Sequence, residues 1–231
     1  MAQEFDPSHV KRVAAEMDRE IRALPLQNTP NVRAIRRGYS RQFERASREF
    51  ILDLARELLD AYDQRWVAYE LIRDHKAAFQ GIGSVELEEL GQGINSWWSV
   101  DAFARTLAGL AWLNRQVPDA LIHTWATSAD CWWRRAALVS TVALNMRFHG
   151  GRGDVPRTLE VCRLLVDDHD DMVVKAMSWA LRELVVHDPQ AVRGFLSEYE
   201  DVLAARIKRE VRNKLTTGLK NPRRSDPAER N

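Results

Sequence analysis

A carboxylate and two basic side chains occupy related positions along the middle and second half of the chain. Asp101, Arg135 and Lys175 each stand directly before an alanine and are separated from one another by 34 and 40 residues. Because an unpaired buried charge is costly, we expect these side chains to reach an open groove. A groove that presents two cations and one carboxylate suits a polyanionic ligand with a single reaction point.

Tryptophans cluster around these charged residues. Trp97 precedes Asp101 by four positions, and Trp179 follows Lys175 by four and precedes Arg182 by three, so each set can share one helix face. Tryptophan is also a common packing residue. We therefore expect one member of each Trp-Trp pair to be buried, and both members of the second pair to belong to the core. Five of the eight tryptophans lie near the charges: Trp97, Trp98, Trp132, Trp133 and Trp179.

Helical patterns that would position these residues extend along the whole chain. Alternating strands and hairpin turns are nearly absent. Asp6-Pro7 predicts a helix through about Ala23, and Thr29-Pro30 predicts a second start. Gly81 and Gly83, Val117-Pro118, the segment 150–153 and Asp188-Pro189 predict breaks. The predicted amphipathic segments are 40–60, 64–79, 99–114, 118–127, 131–147, 156–167, 171–187 and 200–217.

A weak internal repeat organises these helices. Ala68, Ala102, Ala136 and Ala176 coincide when four segments are overlaid, at separations of 34, 34 and 40 residues. Such periods are typical of HEAT and armadillo arrays. We predict an all-α fold, a right-handed superhelical solenoid of HEAT-like hairpins whose concave face carries the residue before each alanine. Residues 1–220 are interpreted as a single domain and residues 221–231 as a flexible basic tail.

Composition limits the class of protein. The 231 residues are 45% hydrophobic and 29% charged, with a net charge of +1. No apolar run approaches the roughly 20 residues of a membrane span, and the polar N-terminus lacks a secretory signal. Cys131 and Cys162 fit no disulfide or metal spacing, which favours a cytoplasmic location.

Basic residues concentrate near the C-terminus, where only Glu210 opposes them between residues 203 and 224. Such a helix and tail could contact phosphates, and the alternative is a solvated helix face. The basic residues are Arg206, Lys208, Arg209, Arg212, Lys214, Lys220, Arg223 and Arg224.

Two further motifs are interpreted structurally. The acidic run from Asp167 to Asp171 lies between two helices, where carboxylates cap the next helix, so no metal site is predicted. The Gly-rich segment 150–153 lacks the flanking residues of a phosphate-binding loop and is read as a connection between repeats. Its Arg152 is a further candidate for a nucleic-acid contact.

Three ordered motifs resemble the AlkD-type DNA alkylation repair glycosylases, which are built from HEAT-like repeats. They are WWSVD at 97–101, WWRRAA at 132–137 and KAMSWALRE at 175–183. Weaker matches are NTPNVR at 28–33 and the closing basic helix at 206–210. The resemblance covers about residues 24–215. Trp98 replaces the polar residue that the family often has there, and Met17 stands where an aromatic residue is expected.

The resemblance implies hydrolysis of the N-glycosidic bond of cationic alkylpurines, such as 3-methyladenine and 7-methylguanine, in double-stranded DNA. It implies a monomeric enzyme without metal or organic cofactor. Asp101, Trp97 and Trp179 would be catalytic, with Trp97 preferred to Trp98 because it keeps the four-residue spacing to Asp101. The implied DNA-binding residues are Arg135, Arg182, Lys175, Lys208, Arg209 and Arg212.

The chemistry is compatible with a single carboxylate, because an alkylated purine already carries a positive charge and leaves without protonation. Asp101 would stabilise the oxocarbenium-like sugar and orient the attacking water. An Asp near a helix start can also be only a cap. Three alternatives therefore stay open: a preference for bulkier N3 or N7 adducts, a non-catalytic HEAT protein that binds damaged or branched DNA, and a protein-interaction solenoid.

Overall fold

The computed structural model describes residues 7–222, and these residues form helices and turns without a strand. The all-α prediction is confirmed for this part of the chain. None of its helices is both long and apolar enough to cross a membrane. Asp6, Arg223, Arg224 and most of the predicted tail lie outside the described residues. The chain divides into two compact units, residues 1–121 and 122–231.

The first unit contains eight α-helices and the start of a ninth. Helix α4 packs against α3 and α7, and α3 also packs against α1. Leu54, Leu58 and Ile72 are fully buried between them. The helices are α1 (Pro7–Arg22), α2 (Thr29–Gln42), α3 (Arg48–Asp60), α4 (Arg65–Asp74), α5 (Lys76–Gln80), α6 (Ser84–Leu90), α7 (Trp97–Phe103), α8 (Gly109–Leu113) and α9 (Asp119–Ala126), with a π-helical segment (Ala104–Ala108) between α7 and α8.

The second unit is organised around three helices. Helix α12 packs on α10 on one side and on α14 on the other, and it buries Met177 and Leu181 completely. A 3-10 turn (Arg147–His149) follows α10. The remaining helices are α10 (Cys131–Asn145), α11 (Val155–Leu164), α12 (Asp171–Leu184), α13 (Pro189–Glu198) and α14 (Ala205–Thr217).

The four alanines of the repeat lie on helices that pack in pairs. Ala68 of α4 and Ala102 of α7 belong to adjacent helices, as do Ala136 of α10 and Ala176 of α12. None of the four is more than 2% exposed. A methyl side chain lets two helix backbones approach closely, so the packing interpretation of the repeated alanine is confirmed within each unit.

Several predicted element boundaries are wrong in detail. The segment 40–60 is interrupted between α2 and α3, and the segment 64–79 is interrupted at His75, whose Nδ1 accepts from Ala78 N at 3.1 Å. Helix α2 begins at Thr29 as predicted, but its cap is Asn28, whose side chain accepts from Asn31 N at 3.0 Å. The predicted segments include neither α6 nor α13. Asp188-Pro189, interpreted as a break, instead opens α13, where Asp188 Oδ1 accepts from Ala191 N at 2.8 Å.

A buried carboxylate ties α2 to α4. Glu70 is 1% exposed, accepts from Arg33 Nε at 2.9 Å and Trp66 Nε1 at 2.6 Å, and lies 3.2 Å from Arg36 Nε. Burial alone would raise the pKa of Glu70, but the hydrogen bonds from Arg33 and Trp66 and the nearby positive charges outweigh it, so the pKa of Glu70 lies below its ordinary value. Arg36, 4% exposed, also pairs with Asp74.

We expect Glu70→Ala to lower the free energy of unfolding by about 3 kcal/mol, because it leaves the buried Arg36 with one carboxylate fewer. Urea unfolding followed by circular dichroism measures the change. Since the native pKa of Glu70 is lowered, its stabilisation is present above its ordinary pKa and is lost as the pH falls through the native value. The variant should therefore lose less stability than the wild type on acidification.

Glu89→Ala is the matched control, since Glu89 pairs with Arg56 at the surface of the same unit and both side chains are partly exposed. We expect it to cost less than about 1 kcal/mol. Equal effects of the two substitutions would contradict a stabilising role for the buried cluster.

Candidate functional site

Helix α7 carries the candidate carboxylate, and a reciprocal cap fixes its first residue. Ser96 Oγ accepts from Ser99 N at 3.4 Å, and Ser99 Oγ accepts from Ser96 N at 3.1 Å. The helix therefore begins at Trp97. Asp101 lies a full turn inside α7, and the N-cap of the helix is Ser96. The interpretation of Asp101 as a cap is therefore wrong.

Both tryptophans at the start of α7 are exposed. Trp97 is 59% exposed and Trp98 is 41% exposed, so the expectation that one of the pair would be buried is wrong. Asp101 is half-buried on the same helix, and its four-residue spacing places it beside Trp97. Large aromatic rings normally lie in the core, which makes two of them in water beside a carboxylate a candidate ligand surface.

The backbone changes geometry shortly after Asp101. Residues Ala104–Ala108 form a π-helical segment, and the chain returns to an α-helix at Gly109. Such segments are rare and occur frequently at functional sites. Neither the spacing of charges nor the repeat indicated it, because the apolar pattern continues through the segment.

Helix α12 presents Lys175, Trp179 and Arg182 on one half-exposed face, as predicted, while its other face is buried. Trp179 Nε1 donates to Glu183 Oε1 at 3.0 Å. Lys175 Nζ lies 2.6 Å from Asp171 Oδ2, and this hydrogen bond is the main cause of the lowered pKa of Asp171. The tryptophan ring is thus flanked by two cations along the helix.

Arg182 is a partly desolvated cation. Its Nε donates to Ser178 Oγ at 3.3 Å, and Ser178 Oγ donates to the buried Glu210 at 2.6 Å. Burial lowers the pKa of Arg182, although the charges of Glu210 and Glu183 oppose the effect. A guanidinium stays protonated in proteins, so this side chain would gain from an approaching anion.

Arg135 does not reach an open groove. It is 5% exposed, and its Nη1 donates to the backbone oxygen of Met172 at 2.6 Å, which joins α10 to α12. The expectation of an exposed side chain is wrong because the guanidinium folds onto the neighbouring helix. The adjacent Arg134 binds Asp168 at 2.7 Å, so both arginines of this motif make contacts between elements of the second unit.

The basic residues of α14 form ion pairs with Glu200 as well as Glu210, whereas the sequence indicated Glu210 alone. The Glu200 carboxylate accepts from Arg212, and the Glu200 backbone oxygen accepts from Lys208 Nζ at 2.8 Å. The same Nζ forms an ion pair with the Glu200 carboxylate at 3.7 Å. Arg209 is 3.8 Å from the buried Glu210 and remains 64% exposed. Ion pairs this exposed contribute little to stability, so these cations can exchange their partners for a phosphate at low cost.

The tryptophans of the second motif are not core residues. Trp132 and Trp133 are both half-buried, and the ring of Trp133 packs against Trp125 at 5.0 Å between centroids. The core interpretation was wrong because the pair occupies the first turn of α10, where the helix is still partly open to solvent.

The acidic run acts as a helix cap, as predicted. Asp170 caps α12 by accepting from Met172 N at 2.8 Å, and Asp168 binds Arg134. Within residues 7–222 no group of three His, Cys, Asp or Glu side chains could hold a metal ion. Both cysteines are free thiols, and burial raises the pKa of Cys162 to about 12.

A cavity of about 160 Å³ lies beside the N-terminal motif of the first unit. Trp66, Val67 and Glu70 of α4 line it opposite Asn28 and Arg33, and the Arg33 guanidinium lies 4.9 Å from the centroid of the Trp66 ring. Val67 is the residue that corresponds to Asp101 in the preceding repeat. The cavity therefore lies beside the position that carries the candidate carboxylate in the next repeat.

Comparison with known proteins identifies the family of this chain. No curated protein matches the chain. The sequence profile of the DNA alkylation repair enzyme family matches residues 1–215, which include every candidate residue on α7, α10, α12 and α14. A match over this much of the chain establishes the family, and with it a role in DNA repair. The protein described here therefore belongs to the DNA alkylation repair enzymes.

Proposed function

We propose that this protein is a DNA glycosylase that hydrolyses the N-glycosidic bond of cationic alkylpurines, including 3-methyladenine and 7-methylguanine. The observation that carries the proposal is the exposed Trp97 beside the half-buried Asp101 on one helix face, in a member of a DNA alkylation repair family. An aromatic ring beside a carboxylate suits a substrate that develops positive charge on a sugar.

The proposed reaction needs no general acid. As the bond between C1′ and the purine nitrogen breaks, its electron pair neutralises the cationic base, and the deoxyribose becomes oxocarbenium-like. Asp101 stabilises this charge and accepts a hydrogen bond from the attacking water, which adds to C1′ and releases one proton. Electrostatic stabilisation of this kind contributes several kcal/mol in a partly desolvated site.

Aromatic rings contribute in two ways in this proposal. The π face of Trp97 is assigned to the sugar, where it stabilises the cationic form, and Trp179 of the second unit is assigned to a ring contact with the DNA. Trp98, 41% exposed next to Trp97, adds apolar surface on which a bulkier N3 or N7 adduct could lie. Both effects follow from rings that are already in contact with solvent, so binding needs no unpacking of the core.

Phosphate contacts are assigned to cations of the second unit. Lys175 and Arg182 flank Trp179 on α12, and Lys208, Arg209 and Arg212 lie on α14. Arg135, 5% exposed, offers little surface for a phosphate and is the weakest of the assigned contacts. These cations position the duplex without reading its sequence, which suits an enzyme whose target is a lesion.

A non-catalytic protein that binds damaged or branched DNA is the alternative. Such a protein would make the same proposed phosphate contacts, but Asp101 would have no catalytic role in it. Base release therefore separates the two functions, whereas DNA binding alone does not.

Asp101→Asn should lower the rate of free base release from 7-methylguanine or 3-methyladenine DNA by about 100-fold or more, because the amide no longer stabilises the cationic sugar. The released base is quantified by chromatography under single-turnover conditions. Asp60→Asn, at an exposed position of the same unit, should match the wild type. Wild-type protein that releases neither base would reject the glycosylase, and an unimpaired Asp101→Asn would reject the mechanism.

Arg209→Ala should weaken binding to any duplex and reduce the slope of log affinity against log salt by about 1, as expected for one lost phosphate contact. Fluorescence anisotropy over a range of salt concentrations measures the slope. Lys76→Ala, an exposed cation on α5, serves as the control and should leave it unchanged. An unchanged slope in Arg209→Ala would remove α14 from the proposed interface.

A further inference from the structure

The connection between α10 and α11 exposes an aromatic side chain. Phe148 is 89% exposed, the highest value among the large hydrophobic residues that the structure describes. It lies in the 3-10 turn after α10, within residues 147–153, here called the aromatic loop. The sequence pattern indicated only a link between repeats, and the exposed phenyl ring needs another explanation.

The backbone of the aromatic loop is held firmly at its base. Gly151 N donates to Met146 O at 3.0 Å and Gly153 N donates to Leu144 O at 3.3 Å. A Cβ on Gly151 would lie 2.6 Å from the carbonyl oxygens of Ala143 and Leu144, so the loop is pressed against the end of α10. Gly150 and Gly153, with φ of 84° and 87°, make the turns that this path requires.

A buried amide fixes the same base from the other side. Asn145 is 2% exposed, donates to Thr158 Oγ1 at 3.0 Å and accepts from Asp154 N at 3.0 Å. Its backbone oxygen lies 2.6 Å from His187 Nε2. The loop therefore presents its tip on a rigid support, and little conformational entropy remains to be lost when the tip binds a ligand.

The charges around the tip are positive. Arg147 and Arg152 are exposed, and neither makes an ion pair among residues 7–222. The nearest acid in sequence, Asp154, is already paired with Arg157 at 2.7 Å. The ring of His149 meets Phe148 edge-on at 5.2 Å between centroids and supports its orientation. An aromatic ring between two available guanidinium groups complements a polyanion that also carries stacked rings.

We propose that the aromatic loop is a second DNA contact, in which Phe148 inserts at a base step while Arg147 and Arg152 bind the flanking phosphates. Apolar side chains are used as wedges between base steps by many DNA-bending proteins, and guanidinium groups suit phosphate oxygens. The inference rests on the proposed DNA partner, not on the chemistry at Asp101. A wedge of this kind would unstack the duplex and hold it on the second unit.

The test uses undamaged duplexes that carry 2-aminopurine at successive positions, because the fluorescence of this base rises when it unstacks. We expect the wild type to raise the fluorescence at one or more positions. Phe148→Ala should abolish the rise and weaken binding about 5- to 150-fold, the range for losing one aromatic contact with a base. Phe148→Tyr should retain both properties, since it keeps the ring.

The matched control is Val85→Ala, which removes a 76% exposed apolar side chain from the acidic helix α6. Val85→Ala should change neither the 2-aminopurine fluorescence nor the affinity for the duplex. A Phe148→Ala protein with wild-type affinity, or a fluorescence rise that persists in it, would overturn the proposal. So would a change of oligomeric state caused by Phe148→Ala, which would assign the ring to a contact between copies of the chain.

Failure of this inference is distinguishable from failure of the glycosylase. If the wild type excises 7-methylguanine but Phe148→Ala changes neither the fluorescence nor the affinity, the glycosylase proposal holds and the Phe148 proposal fails. If the wild type releases no base but unstacks DNA in a way that depends on Phe148, the Phe148 proposal holds and the glycosylase proposal fails.

Discussion

Close helix packing at one small residue per repeat is the constraint on which the arrangement of functional groups depends. Ala68 and Ala102 bring α4 and α7 together, and Ala136 and Ala176 do the same for α10 and α12. A larger side chain at any of these fully packed positions would push two helices apart. Of the residues that precede these alanines, Asp101 and Lys175 are half-buried at the edge of the packed layer, whereas Val67 and Arg135 are buried.

The residue that stands before the alanine differs between the units. In the first unit it is Val67, beside a small cavity, and Asp101, beside the exposed Trp97. In the second unit it is Arg135, folded against Met172, and Lys175, held by Asp171. The first unit thus supplies a carboxylate with an aromatic surface, and the second supplies half-exposed cations such as Lys175, which pairs with the surface carboxylate of Asp171. This division fits the proposal that the residues for bond hydrolysis and the residues for phosphate binding come from different parts of the chain.

Periodicity predicted most of the helices, because amphipathic helices leave a regular signature in the order of residues, and the near absence of alternating patterns and hairpin turns argued against strands. The repeated alanines were also found from sequence, since a packing constraint fixes residue size. Burial of individual side chains was harder to predict. Trp97 and Trp98 are both exposed and Arg135 is buried, although residue type suggests the reverse, because exposure depends on which neighbouring helix lies opposite. The wedge candidate Phe148 and the π-helical segment after Asp101 left no pattern to detect.

Excision through a single carboxylate requires that the leaving base be positively charged before the enzyme acts. The most direct measurement compares duplexes that contain 7-methylguanine or its neutral isostere 7-methyl-7-deazaguanine, at protein concentrations that saturate both. We expect free base from the first duplex alone, because the isostere cannot leave without protonation and the proposed site supplies no acid. Release from the neutral isostere at a similar rate, or from neither duplex, would contradict the proposed chemistry.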